Sequence, residues 1–221
     1  MRILAISDPH GDYSKIAALQ QRAGAVDIVL VAGDITNFGP PGKAKELLDM
    51  FEQNTLAIPG NCDPTSIIDI LDASRAINLH NASRTIGAGT SNIIFIGLGG
   101  SNPTPFNTPF ELSEEEIEHL LEPLLAEAQR TPHHRIVLLT HAPPRGTVDA
   151  VPAGNVGSPA IAKFLGRVDL IVCGHIHEAR GMVHQNGTVV VNPGMAAQGY
   201  AALIDIDGRD AGKIDVELIQ V

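Results

Sequence analysis

The chain has 221 residues, of which 44% are apolar, and a formal net charge of −10. At about 100–200 residues per domain this length points to a single domain over residues 1–221, with apolar material enough for a full core. The acidic balance argues against a duplex-gripping protein, because phosphate backbones attract clustered Lys and Arg and no such cluster occurs.

With no Trp and 4% aromatics, the core has to be aliphatic. Two cysteines, Cys62 and Cys173, cannot build a disulfide framework, which fits a reducing compartment. The opening "MRILAISD" shows no apolar leader with a cleavage site, and no run of about 18 uncharged apolar residues follows. These features set the expectation of a soluble, cytoplasmic chain that does not enter a membrane.

In chain order, a short Ile/Leu run at residues 3–6 predicts a buried strand and is followed by Asp8 and His10. The spacing of two would set both side chains on one side of an extended chain, and Pro9 should hold Asp8 extended. A helix is expected over 14–23. The strand at 28–32 then ends in Gly33 and Asp34, with Asn37 in an ordinary turn beyond it. After a helix at 43–53, the strand at 56–58 ends in Gly60, Asn61, Cys62 and Asp63. Asp63, followed by Pro64, is placed as the cap of a helix at 65–73.

A strand at 93–96 leads into the Pro-rich loop "SNPTPFNTPFE" at 101–111. Ser113 with Glu116 spells a capping box for a helix at 113–130, which Pro123 should kink or divide. The strand at 136–139 is followed by His141. Ser158 caps a helix at 159–165 with proline at its first position. The strand at 170–173 ends in Cys173, placed as a small buried hydrophobe, and leads to His175 and His177. A strand at 189–191 precedes Asn192, which could buttress the site, and "AALIDID" and "KIDVELI" around "DGRDAG" predict a hairpin with one wet face. His80, His119, His133, His134 and His184 read as solvated. Strands alternating with helices, then a strand-rich second part, indicate a layered α/β sandwich.

Seven metal-competent side chains thus stand just beyond five strands: Asp8, His10, Asp34, Asn61, His141, His175 and His177. In layered α/β proteins ligands bind at the carboxyl ends of strands, where residues scattered in sequence converge. One Asp, Asn or His alone is more often a turn or a surface residue; the conjunction points to metal. Oxygen and imidazole donors without a thiolate cluster suit Mn, Fe, Zn, Ni or Co, with Mn foremost. Seven ligands exceed what one ion with an open position needs, so two divalent ions are expected.

The ordered motifs D-x-H, G-D, G-N-x-D, a lone His after a strand and G-H-x-H resemble the calcineurin-like metallophosphoesterase superfamily. "GLGGSNPTPF", "HAPPRGT" and "GHIHEARG" are similar to its small prokaryotic Icc-related phosphoesterase branch. The resemblance implies a four-layer α/β/β/α sandwich of two mixed β-sheets flanked by helices. It also implies one metal held by Asp8, His10, Asp34 and His177, and a second by Asp34, Asn61, His141 and His175, with Asp34 bridging. The implied reaction is hydrolysis of a small phosphate ester by in-line attack of a metal-bridging hydroxide, with Asp34, Asn61 and His141 as the catalytic set. Two divalent ions, two carboxylates and a hydroxide leave a site near about +1, which suits an anionic ester.

In that superfamily G-N-H-D or G-N-H-E is usual, and here Cys62 takes the place of the His, while "VNPGM" departs from the usual N-P-G-S. A thiol is a weak hydrogen-bond donor and poorly suited to protonating a leaving alkoxide, so diester hydrolysis is expected over monoester hydrolysis. A soft metal ligand and a packed, inert thiol are the other readings of Cys62. The rival functions are a nuclease with the same centre, disfavoured by the charge, and a non-catalytic scaffold that binds protein partners.

Overall fold

Fourteen strands and five α-helices make up this computed structural model, which describes residues 1–88, 91–131, 134–207 and 213–221. In chain order they are β1 (Arg2–Ile6), α1 (Ile16–Ala23), β2 (Ile28–Ala32), α2 (Lys43–Leu48), β3 (Asn54–Ile58), α3 (Ile67–Asp72), β4 (Ile77–Asn78), β5 (Ala82–Ala88), β6 (Ser91–Leu98) and α4 (Glu114–Gln129). They continue as β7 (Arg135–Thr140), β8 (Ala150–Val151), β9 (Gly154–Asn155), α5 (Pro159–Ala162), β10 (Leu170–Val172), β11 (Gly181–Gln185), β12 (Thr188–Asn192), β13 (Tyr200–Ile206) and β14 (Ile214–Gln220).

Two six-stranded sheets form, ordered β14-β13-β1-β2-β3-β4 and β11-β12-β10-β7-β6-β5, and β8 with β9 adds a small hairpin. Both large sheets are mixed: parallel in the middle, with antiparallel strands at β13 and β14 in the first and at the β11 and β5 edges of the second. The alternation of side chains along each strand separates three cores. In β1, Ile3 and Ala5 face the other sheet, where they join Phe95, Val137, Leu170 and Val191. Leu4 and Ile6 point the other way, onto Ile16, Leu19, Leu47 and Ile67 of α1, α2 and α3. On the far side, Ile94, Ile96 and Leu138 meet Ile117, Leu121 and Leu125 of α4. The layers are therefore helix, sheet, sheet, helix. Strands buried on both faces must be apolar at every position, which is why β2 reads IVLVA with no alternation.

The capping box at α4 is present, with Glu116 N–H donating to Ser113 Oγ at 3.2 Å and Ser113 N–H to Glu116 Oε2 at 2.8 Å. Replacing Ser113 with Ala should cost about 1 kcal/mol, measured by urea unfolding. Ser158 caps α5, accepting from Ile161 N–H at 3.1 Å.

Several expectations need correction. Pro123 does not divide α4, which runs unbroken from Glu114 to Gln129; Pro123 and His119 both lie on the exposed face, where the carbonyl that loses its partner can meet water. Helix α2 stops at Leu48, because Met50 and Phe51 turn back onto the Leu47 and Leu48 carbonyls. Likewise α5 ends at Ala162, followed by tight turns. The β13–β14 hairpin forms in register Tyr200↔Gln220 to Ile206↔Ile214, with its wet face at Asp205, Asp215 and Glu217, although the rest of β13 is largely buried. Strand β13 lies between β14 and β1 and supplies side chains to two cores. The expected hairpin tip at 208–212 lies outside the described residues, as does His133. Among the described residues no helix is long and apolar enough to cross a membrane.

Candidate metal centre

Strands β1, β2 and β3 are adjacent and parallel in one sheet, and β7 and β10 are adjacent and parallel in the other, so each sheet gathers its own strand ends. Bonds across the sheets put both sets at the same end of the molecule. His141 Nδ1 lies 2.7 Å from the Ala32 carbonyl, and the His175 N–H donates to Asp8 Oδ2 at 3.1 Å.

The backbone leaves each strand differently from the extended path expected. Asp8, His10, Asp34 and His175 have φ of +54°, +46°, +50° and +69°, and His177 begins a 3-10 turn. Left-handed conformations at non-glycine residues cost of the order of 1–2 kcal/mol each and persist only where the surroundings impose them. Here the first two loops are bonded together: Asp8, His10 and Gly11 N–H groups donate to the Gly33, Asp34 and Ile35 carbonyls at 3.1, 2.9 and 3.0 Å. Asp8 and His10 do share a side, with His10 Nε2 3.8 Å from Asp8 Oδ1, but through a sharp turn.

Two glycines let this happen. A Cβ on Gly60 would stand 2.1 Å from Asp34 Oδ1, and one on Gly174 would stand 1.8 Å from Ser7 Oγ.

All seven predicted side chains fall into one connected cluster. His10 Nε2 is 3.3 Å from His177 Nε2, 3.6 Å from Asp34 Oδ2 and 3.8 Å from Asp8 Oδ1. His177 Nε2 is 3.3 Å from Asp8 Oδ1. His141 Nε2 is 3.4 Å from Asp34 Oδ2 and 2.9 Å from Asn61 Oδ1, with the His175 ring 5.1 Å from that of His141. Among the described residues, three groups hold ligand atoms within 4.8 Å of one another: Asp8, His10 and His177; His10, Asp34 and Cys62; Asp8, Asp34 and His141.

The cluster demands positive charge. His141 Nδ1 is committed to donating to the Ala32 carbonyl, so the Nε2 of a neutral imidazole would turn a lone pair on the Asn61 carbonyl oxygen at 2.9 Å. Two acceptors at that distance repel unless a cation lies between them, whether a proton or a metal. The protonation energetics agree. Burial disfavours a charged His141, yet the Asp34 carboxylate, Asp8 and the Ala32 carbonyl outweigh it and raise its pKa to about 9. Burial would raise Asp34, but His141, His10 and the Cys62 N–H hold it well below the usual carboxylate range. His175, buried beside His141, falls to about 4. Buried carboxylates among imidazoles, beside an amide oxygen, fit divalent ions with nitrogen and oxygen ligands.

Some residues around the cluster, Asp63 first among them, take roles that differ from those expected. Asp63 does not cap α3. Its fully buried carboxylate accepts from the Ile35, Thr36 and Gly60 N–H groups and from Thr36 Oγ1, at 2.7–3.0 Å, and so joins the loop of Asp34 to the loop of Asn61. Four donors attract a carboxylate more strongly than the free end of a short helix does. Burial and the neighbouring Asp34 charge nevertheless outweigh those donors and raise its pKa to about 6.

Asn192 sits behind the histidines, donating to the Ile176 carbonyl at 2.8 Å. Asn37 is exposed in its turn. Cys62 is half-buried; burial and Asp34 push its thiol far up, while its N–H donates to Asp34 Oδ1 at 2.7 Å. Cys173 is fully buried beneath β10. His80 is not solvated: its Nδ1 accepts from the Gly99 N–H at 3.0 Å, and its ring packs on Phe110.

Sequence reasoning missed Thr108 and Glu111, which stand beside Asn61. Thr108 Oγ1 accepts from Asn61 Nδ2 at 3.0 Å and donates to Glu111 Oε1 at 2.6 Å. The only sequence signal was a Thr three residues before a Glu inside the Pro-rich loop.

A profile described as calcineurin-like phosphoesterase matches residues 1–179. An uncharacterized protein of Methanocaldococcus jannaschii is 38% identical over 205 residues, covering 87% of this chain and 88% of that one. In fold the chain is similar to a protein of Thermus thermophilus (TM-score 0.71, 18% identity, 98% of this chain and 97% of that chain). It is similar also to a dimetal phosphatase of Danio rerio (TM-score 0.65, 14% identity, 100% and 98%). The matched profile spans every strand end described above, and the chain accordingly belongs to the calcineurin-like phosphoesterase family of metal-dependent phosphoester hydrolases.

Proposed function

We propose that the protein is a phosphodiesterase whose two divalent ions, Mn foremost, are held by Asp8, His10, Asp34, Asn61, His141, His175 and His177. The observation that carries the metal reading is the convergence of these side chains at one end of both sheets, with Asp34 Oδ2 3.6 Å from His10 Nε2 and 3.4 Å from His141 Nε2. When bound, such ions supply an activated water and polarise the phosphoryl oxygens.

The chain's own groups do the rest. Asp34 stands within 3.6 Å of His10 and 3.4 Å of His141, a central position that suits a carboxylate shared between two ions. The Ala32 carbonyl fixes the His141 tautomer so that Nε2 faces the centre. Asp63 and the N–H of Cys62 hold the loops of Asp34 and Asn61 at a constant separation. Cys62 stands where a histidine would supply a proton to the departing oxygen, and its raised thiol is a poor source of one. A substrate whose leaving group needs little protonation, such as an activated diester, suits this set.

Purified Mn-loaded protein should hydrolyse an aryl phosphodiester faster than the matching monoester, and a chelator should abolish both activities. Cys62→His should raise monoester turnover relative to diester turnover by about 10²-fold. A strong monoester preference in the unsubstituted protein would sink the diester reading.

A further inference from the structure

The carboxamide of Asn61 has two nearly isosteric ends, and only one of them can face a cation. Turned one way it presents Oδ1 to His141 and the centre; turned the other way it presents an NH₂ group, which repels a metal. Shape alone does not choose between them. The choice is made by a chain of hydrogen bonds leading out of the centre.

Glu111 is acceptor-only as a carboxylate. Its Oε1 accepts from Thr104 Oγ1 at 2.6 Å, from Thr108 N–H at 2.8 Å and from Thr108 Oγ1 at 2.6 Å. A hydroxyl has one proton, so Thr108, having given it to Glu111, can only accept from its other neighbour. That neighbour is Asn61 Nδ2 at 3.0 Å. The second contact of Nδ2, with Cys62 Sγ at 3.7 Å, is too weak to set the orientation by itself. Asn61 is almost fully buried, which leaves little room for water to substitute. The loop that carries Thr108 is secured at its base, where Ser101 N–H donates to the Phe110 carbonyl and Leu112 N–H to the Ser101 carbonyl. Phe110 N–H also donates to the Asn61 carbonyl at 3.1 Å.

We propose that Thr108 and Glu111 are positioning residues that polarise the Asn61 carboxamide, keeping its oxygen on the ion shared with His141. The Pro-rich loop at residues 101–111 is thereby a working part of the centre. The inference rests on the metal-site reading above, and its test separates the two.

Mn²⁺ binding is measured by titration calorimetry on chelator-stripped protein, with bound metal counted by elemental analysis. Thr108→Val keeps the shape and removes the hydroxyl, and should weaken one of two ions by about 10–100-fold while leaving the other unchanged. Glu111→Gln gives the network a donor that can reverse the order of protons, and should weaken the same ion. Thr108→Ser restores the hydroxyl and should restore the affinity. Wild-type affinity in Thr108→Val, equal weakening of both ions, or failure of Thr108→Ser to recover would each overturn the proposal. Asn61→Ala serves as the reference: if it too keeps both ions at wild-type affinity, the metal-site reading falls and the proposal with it.

Discussion

Asp34→Asn is expected to lower kcat/KM for a phosphodiester by about 10³-fold, on the scale of losing a principal electrostatic stabiliser of the transition state. The variant should also bind less than the full complement of Mn. The reason is positional. Asp34 is the one candidate ligand within 3.6 Å of both His10 and His141, the ends of the two halves of the cluster. Asparagine retains a carbonyl oxygen to accept the Cys62 N–H, so the loop should hold its shape and circular dichroism should be unchanged. What is lost is a buried negative charge between imidazoles. A variant with wild-type rate and both ions in place would show that Asp34 does not join the two halves.

Gly60→Ala should also produce a large effect, although it replaces no candidate ligand. The new methyl would lie 2.1 Å from Asp34 Oδ1 and 2.2 Å from the Asp34 backbone nitrogen, so turning the side chain cannot relieve the clash. The loop itself must shift. Overpacking of this kind costs about 1–3 kcal/mol, visible as a lower urea midpoint with unchanged slope. Misplacing a reacting group by about 1 Å can also cost about 10²-fold in rate. Gly42→Ala is the matched control, since a Cβ there meets nothing within 4 Å, and it should leave both quantities alone. Equal effects of the two substitutions would refute the close-approach account of Gly60.

The central strands are legible in the chain, because burial on both faces forces unbroken Ile, Val and Leu runs such as those of β2 and β10. The sequence by itself also determined the order of the acidic, amide and imidazole residues after those runs, and the caps of α4 and α5, since each of these is written within a few consecutive residues. Edge strands β5 and β11 escaped notice because several of their described positions face water and their runs are broken by Gly, Arg and His. The rest depends on how distant segments pack. Left-handed turns at Asp8, His10, Asp34 and His175 depend on bonds between separate loops, which leave no periodic trace in either. Asp63 abandoned its local cap for donors 27 and 28 residues away, and His80 took the N–H of Gly99, 19 residues on. The orientation of Asn61 is set from Thr108, 47 residues distant. A propensity acts between neighbours in the chain, whereas a hydrogen bond of this kind exists only once two sheets have packed and brought its partners within about 3 Å.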